Sequence, residues 1–89
     1  MSIPKVSIRQ LKAARNLIGW SQEQLAHFAD VSLPTVKRLE SKEGWLGGRP
    51  ITAQKIREAL EAGGIQFIDE NGGGLGVRLR KRTKAKKER

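Results

Sequence analysis

Between Ser7 and Ile18 apolar residues return every three or four positions, at Ile8, Leu11, Ala14, Leu17 and Ile18, the period of a helix with one face turned to a core. Ser7 stands where an N-cap is needed and Gly19 where a helix stops. A second helical pattern opens at Ser21, with Gln24 three residues on to complete a capping box. Leu25, Ala26, Phe28 and Ala29 form its apolar side, and Gln22, Glu23 and His27 its wet side. Asp30 interrupts that pattern, because an Asx residue tolerates turn or left-handed geometry. Ser32 then caps a third helix whose first turn holds Pro34, where a missing N–H costs nothing. Val36 and Leu39 are spaced to face the second helix, which leaves Lys37 and Arg38 outside. Trp20, in the joint, is expected to pack between the first and second helices.

Residues 41 to 50, with Gly44, Gly47, Gly48 and Pro50, read as a loop. It carries Trp45 and Leu46, either covering the core or meeting a partner subunit. A fourth helix follows, with Thr52 as expected N-cap, Ile56, Ala59 and Leu60 as buried stripe and Gly63-Gly64 as its end. Residues 65–68 and 77–80 are short β-type runs around a glycine-rich loop, hence a hairpin. Two strands alone are marginal in water, so they must pack on the helices, pair with a second copy, or both. No Lys-Ser or Lys-Thr pair and no helix follows Gly76, so the glycine-rich loop is not a nucleotide cradle. The expected fold is mainly α, a bundle of about four helices over residues 1–64. The hairpin follows at 65–80, with a disordered basic tail at 81–89.

The formal charge is +9, and it is uneven: residues 80–89 hold seven basic residues against one acidic, a net of +6, leaving +3 for residues 1–79. Such a tail attracts polyanions without reading sequence. At 89 residues the chain is too short for both a sizeable core and a deep catalytic pocket, so no enzyme is expected. It has no cysteine and one histidine, His27, which leaves no disulfide, no cysteine-ligated zinc and no catalytic triad. Neither a metal nor a cofactor is therefore expected. No apolar run is long enough for a membrane span or secretory signal, so the expected location is cytoplasmic and nucleoid-associated.

Two helices joined by a short turn at a steep angle need a small residue at their crossing, and Ala26 supplies it. The order Gln22, Ala26, turn, Val31-Ser32, Thr35-Val36, Arg38-Leu39-Glu40 resembles the helix-turn-helix of the phage-repressor and Cro-like group, the XRE family of bacterial regulators. The resemblance covers roughly residues 7 to 62, with the specific motif confined to Ser21 to Glu40. It implies a lambda-repressor-like bundle whose third helix enters the major groove of double-stranded DNA. The family usually has glycine where Asp30 stands, so Asp30 is expected to hold the same backbone under some strain.

The resemblance also implies the site. It places Gln22 at a phosphate and pairs Arg15 of the first helix with Glu40 at the end of the third. Ser32 and Thr35 carry hydroxyls for phosphate or base edges, although Ser32 also caps its own helix. Leu33 and Pro34 occupy the tip, meeting thymine methyls if exposed and the protein core if not. Arg38 is the candidate for guanine, because its fork meets both acceptors of that base, while Lys37 reaches a base or a phosphate. Lys42 and Arg49 are expected as backbone clamps. The implied activity is a sequence-specific transcriptional regulator, a repressor acting as a homodimer through the hairpin edge on a two-fold operator. Other readings are an activator that touches RNA polymerase, an antitoxin that binds both operator and toxin, and a nucleoid or RNA-binding protein. Sparse aromatics speak against the base stacking that the last would use.

Overall fold

A computed structural model of the chain describes residues 6–69 and 72–80. The basic tail at 81–89 and part of the expected hairpin loop, Glu70 and Asn71, lie outside the described residues. The fold is mainly helical: α1 (Ile8–Leu17), α2 (Gln22–Ala29), α3 (Leu33–Glu40) and α4 (Pro50–Ala62) are followed by an antiparallel hairpin of β1 (Ile65–Ile68) and β2 (Gly76–Leu79).

Local chemistry sets the helix boundaries. Ser7 and Ser21 both head capping boxes, each hydroxyl accepting from the N–H three residues on while Gln10 and Gln24 reach back to the cap N–H. α1 ends in a Schellman turn, with Gly19 left-handed at φ 75° and the Trp20 N–H donating to the Arg15 carbonyl at 3.0 Å. α2 ends the same way, except that Asp30 occupies the left-handed position, at φ 58° and ψ 47°. The Val31 N–H then returns to the Ala26 carbonyl at 3.0 Å, so the strained turn keeps its full set of bonds. α4 departs from expectation: it begins at Pro50, and Arg49, not Thr52, is its N-cap, without a side-chain cap bond. Proline at the first helical position loses no hydrogen bond and presets φ, so it can start a helix as well as close a loop.

The core gathers Leu11 and Ala14 from α1, Leu25, Ala26 and Ala29 from α2, Val36 and Leu39 from α3, and Ile56, Ala59 and Leu60 from α4. Ile65 and Phe67 of β1 complete it from below. Two apolar positions expected in the core are outside it. Leu17 and Phe28 are 46% and 55% exposed, because each lies at the margin of its helical stripe where no facing element covers it. Phe28 instead stacks on Trp20, ring centroids 4.6 Å apart, and Trp20 also lies over Gly63, where a Cβ would stand 2.9 Å from its ring. Leu46 packs on the core, whereas Trp45 is half exposed.

The hairpin is fastened to the helices by one buried side chain. Gln10 accepts from the Ser7 N–H and donates its two amide hydrogens to the carbonyls of Ile68 and Gly76, at 3.2 and 2.9 Å. Both amide hydrogens and one lone pair of the amide oxygen are thereby engaged at 4% exposure. On the other side Arg57 of α4 lies 4.9 Å above the Phe67 ring. β2 begins at Gly76, one residue before the expected run, paired with Ile68.

The left-handed Asp30 yields a stability prediction. Asp30→Gly removes the side-chain clash of that backbone and is expected to stabilise the fold by about 0.5–1 kcal/mol, after the entropic cost of glycine. In a thermal melt the midpoint rises by several degrees; a fall would mean that the 3.7 Å Lys55 contact to Asp30 outweighs the strain.

Candidate nucleic-acid interface

α3 is divided lengthwise by its own sequence. Val36, Leu39 and Glu40 are buried on one side, while Pro34, Lys37, Arg38 and the capping Ser41 are exposed on the other. At 100° per residue, positions 34, 38 and 41 fall on one line, so the exposed strip runs the length of the helix. Ser32 caps α3 from an extended backbone: its hydroxyl accepts from the Thr35 N–H at 3.2 Å and lies 2.8 Å from the Thr35 hydroxyl. The two hydroxyls thus form one polar knuckle at the helix start. Leu33, beside it, is half-buried against the core, whereas Pro34 is exposed. Of the two residues expected at the tip, Pro34 is the more outward and Leu33 divides its surface between core and solvent.

At the other end α3 is anchored by charge. Arg15 donates through Nε and Nη2 to the two Glu40 carboxylate oxygens, at 2.7 and 2.9 Å, and through Nη1 to the Trp20 carbonyl at 2.8 Å. Gln22 adds a third donor to the carboxylate, Nε2 to Oε1 at 3.0 Å. The Glu40 and Arg15 side chains are 4% and 14% exposed, so water competes little for this fork. The last residue of α3 is therefore bound at once to α1 and to the first turn of α2, and Arg15 ties the α1–α2 joint to the same fork. The Gln22 amide, expected at a phosphate, spends one hydrogen on Glu40 and keeps a second.

The flanks continue the exposed strip. The Ser41 hydroxyl donates to the Arg38 carbonyl at 2.7 Å, and the Lys42 N–H to the Leu39 carbonyl at 3.2 Å, so the chain leaves α3 in an ordered turn. Lys42 and Arg49 are both exposed. Lys37, Arg38, Lys42 and Arg49 have no ion-pair partner among the described residues. Among those residues there is also no grouping of His, Cys, Asp and Glu side chains able to hold a metal ion, and no helix long and apolar enough to cross a membrane.

Sequence reasoning missed Gln10 and the bond of Gln22 to Glu40. The Ser7-x-x-Gln10 spacing could have flagged half of the Gln10 role as a capping box. Its grip on residues 68 and 76, distant in the chain, has no sequence signal. The same is true of the Gln22 bond to Glu40, which joins side chains 18 residues apart in the chain.

Residues 11–66, more than half the chain, match the family model described as Helix-turn-helix. Comparison with curated proteins finds no match.

Removing one member of the buried pair tests its role. Glu40→Ala leaves the Arg15 guanidinium without its counter-charge and is expected to cost about 3–5 kcal/mol. That loss lowers the thermal midpoint by well over ten degrees by the usual scaling of about 4–8 °C per kcal/mol. Arg15→Met combined with Glu40→Leu should recover much of it; an unchanged midpoint in Glu40→Ala would dismiss the pair as a stabilising link.

Proposed function

The chain belongs to the XRE/Cro-like helix-turn-helix family and is a DNA-binding transcriptional regulator, and from that premise we propose that it is a repressor binding a two-fold operator as a homodimer. The observation that carries the reading is the outward strip of α3, where Lys37 and Arg38, with no ion-pair partner among the described residues, stand beside the Ser32–Thr35 knuckle while Glu40 is clamped from behind. A helix held in this way enters the major groove without first paying the ordering entropy of a mobile segment.

In this reading the Arg38 fork takes the two acceptors of a guanine, and Lys37 a neighbouring base or phosphate. Ser32 and Thr35 bond to phosphate or a base edge, and Pro34, with the outer part of Leu33, meets thymine methyls. Gln22 gives its second amide hydrogen to a phosphate at the start of α2, and Lys42 and Arg49 clamp the backbone beyond α3. Repression asks only that the promoter be occupied, whereas activation needs a further contact with polymerase.

The homodimer is assigned to the outer edge of β2. The Arg80 N–H donates to the Gly64 carbonyl at 2.8 Å, which sets the alternation of the ladder. By that alternation the backbone groups of Val77 and Leu79 point away from β1. Leu79 is 50% exposed although it lies opposite the buried Ile65, so a second β2 strand would both pair the edge and cover an apolar side chain.

Selection of duplexes from a random pool is expected to return a consensus with two-fold symmetry and half-sites about one helical turn apart. Sedimentation showing a monomer even on that duplex would remove the dimer. Arg38→Ala is expected to lose about 1–3 kcal/mol on the consensus and relax preference at one base pair, whereas Lys42→Ala weakens all duplexes alike and flattens the salt slope by about one. Equal losses on consensus and random DNA for Arg38→Ala would contradict base reading.

A further inference from the structure

We propose that the cleft between α1, the loop after α3 and the hairpin binds a small organic anion with an apolar body, such as an aromatic carboxylate, and that its occupant weakens DNA binding through Lys42. The second half rests on the role proposed for Lys42 above; the first stands without it. The cleft has a volume of about 650 Å³, within the range of about 300–1,000 Å³ typical of small-molecule sites. Trp45, Leu75 and Val77 line it, and the first two are 50% and 39% exposed. Large apolar surface facing a concavity favours a ligand that brings apolar surface of its own.

The polar groups of the wall decide the ligand's charge. Ser7 and Gln10 also line the cleft; Gln10 spends both amide hydrogens on Ile68 and Gly76, while the Ser7 hydroxyl accepts from the Gln10 N–H and keeps its own hydrogen. The wall is also charged: Arg9, Lys12 and Lys42 are exposed, none has an ion pair among the described residues, and Glu43 is the one carboxylate among the described lining residues. Among the described lining residues, three cations against one anion, with the Ser7 hydroxyl as a further donor, select an anion over a neutral or cationic ligand.

The cleft is joined to the DNA-facing helix by short bonds. The Lys42 N–H donates to Leu39 in the last turn of α3. Two residues on, the Gly44 carbonyl accepts from the Ile8 N–H at 2.8 Å, and the Leu46 N–H donates to the Val6 carbonyl at 2.8 Å. An anion held by Lys12 and Lys42 thus draws one ammonium away from a phosphate and loads the loop that sets the end of α3. Ligand and duplex then compete for the same cation.

The test uses 2-naphthylacetate as probe, 2-naphthylacetamide as its neutral counterpart, and the Trp45 indole N–H resonance as readout, assigned with Trp45→Phe. In the full chain without DNA, the anion is expected to shift that resonance saturably. The amide should bind about tenfold more weakly, and the anion should lose about tenfold on Lys12→Glu, the worth of one charge-assisted contact. No saturable shift at millimolar naphthylacetate, equal binding of the amide, or an undiminished affinity in Lys12→Glu would each overturn the site. With saturating probe, affinity for the selected duplex is expected to fall about threefold, as for partial loss of one phosphate contact, and not to fall in Lys12→Glu. Unchanged duplex affinity while the Trp45 signal is saturated would overturn the link to Lys42. Failure to bind any duplex would count against the regulator reading and leave the DNA-free titration to decide the site.

Discussion

The fork between Arg15 and Glu40 is the constraint on which the rest of this molecule depends. It joins the end of α1 to the end of α3 through two short charge-assisted bonds, with the Trp20 carbonyl and the Gln22 amide completing the set. A buried pair of this kind adds little stability over a well-packed apolar substitute, because both ions lose their water. Its value lies in direction. Apolar contacts such as Val36 on α2 tolerate sliding and rotation, whereas a planar guanidinium facing a carboxylate tolerates neither. The outward residues of α3 are therefore aimed by a bond on the opposite side of the helix.

A small domain has few places to store such order. The core draws on all four helices, yet the two-stranded hairpin would be marginal if left to itself. Gln10 and Arg57 hold it from both sides, the first by hydrogen bonds to strand-end carbonyls and the second by lying over Phe67. Ile65 and Phe67 close the core in return, so hairpin and bundle stabilise each other.

Charge is sorted by the same architecture. Glu40, Glu61 and Asp30 are each engaged by a cation of the protein itself, through Arg15, Arg57 and Lys55. The cations on and around α3 have no such partner among the described residues, which leaves positive potential on that side. Internal pairing of carboxylates is thus also a means of exposing the opposite sign where an anionic ligand would dock.

The sequence by itself determined what is local. Serine caps, the strain-tolerant Asp30, Gly19 after α1 and the three- or four-residue apolar period are short-range effects, and each marks the element that forms there. The sequence resemblance also pointed to Arg15 and Glu40 as a pair. Periodicity alone could not tell Leu17 and Phe28 from core residues, because an apolar stripe says which side faces inward and not how far the neighbouring element reaches. Nor could it separate Pro50 as helix start from Pro50 as loop end, since one fixed φ serves both. Only the tertiary structure decided that Gln10 would clasp Ile68 and Gly76 and that Gln22 would bond to Glu40. A polar side chain's partner depends on which backbone or carboxylate arrives beside it once distant segments pack, and that arrival is a property of the assembled core.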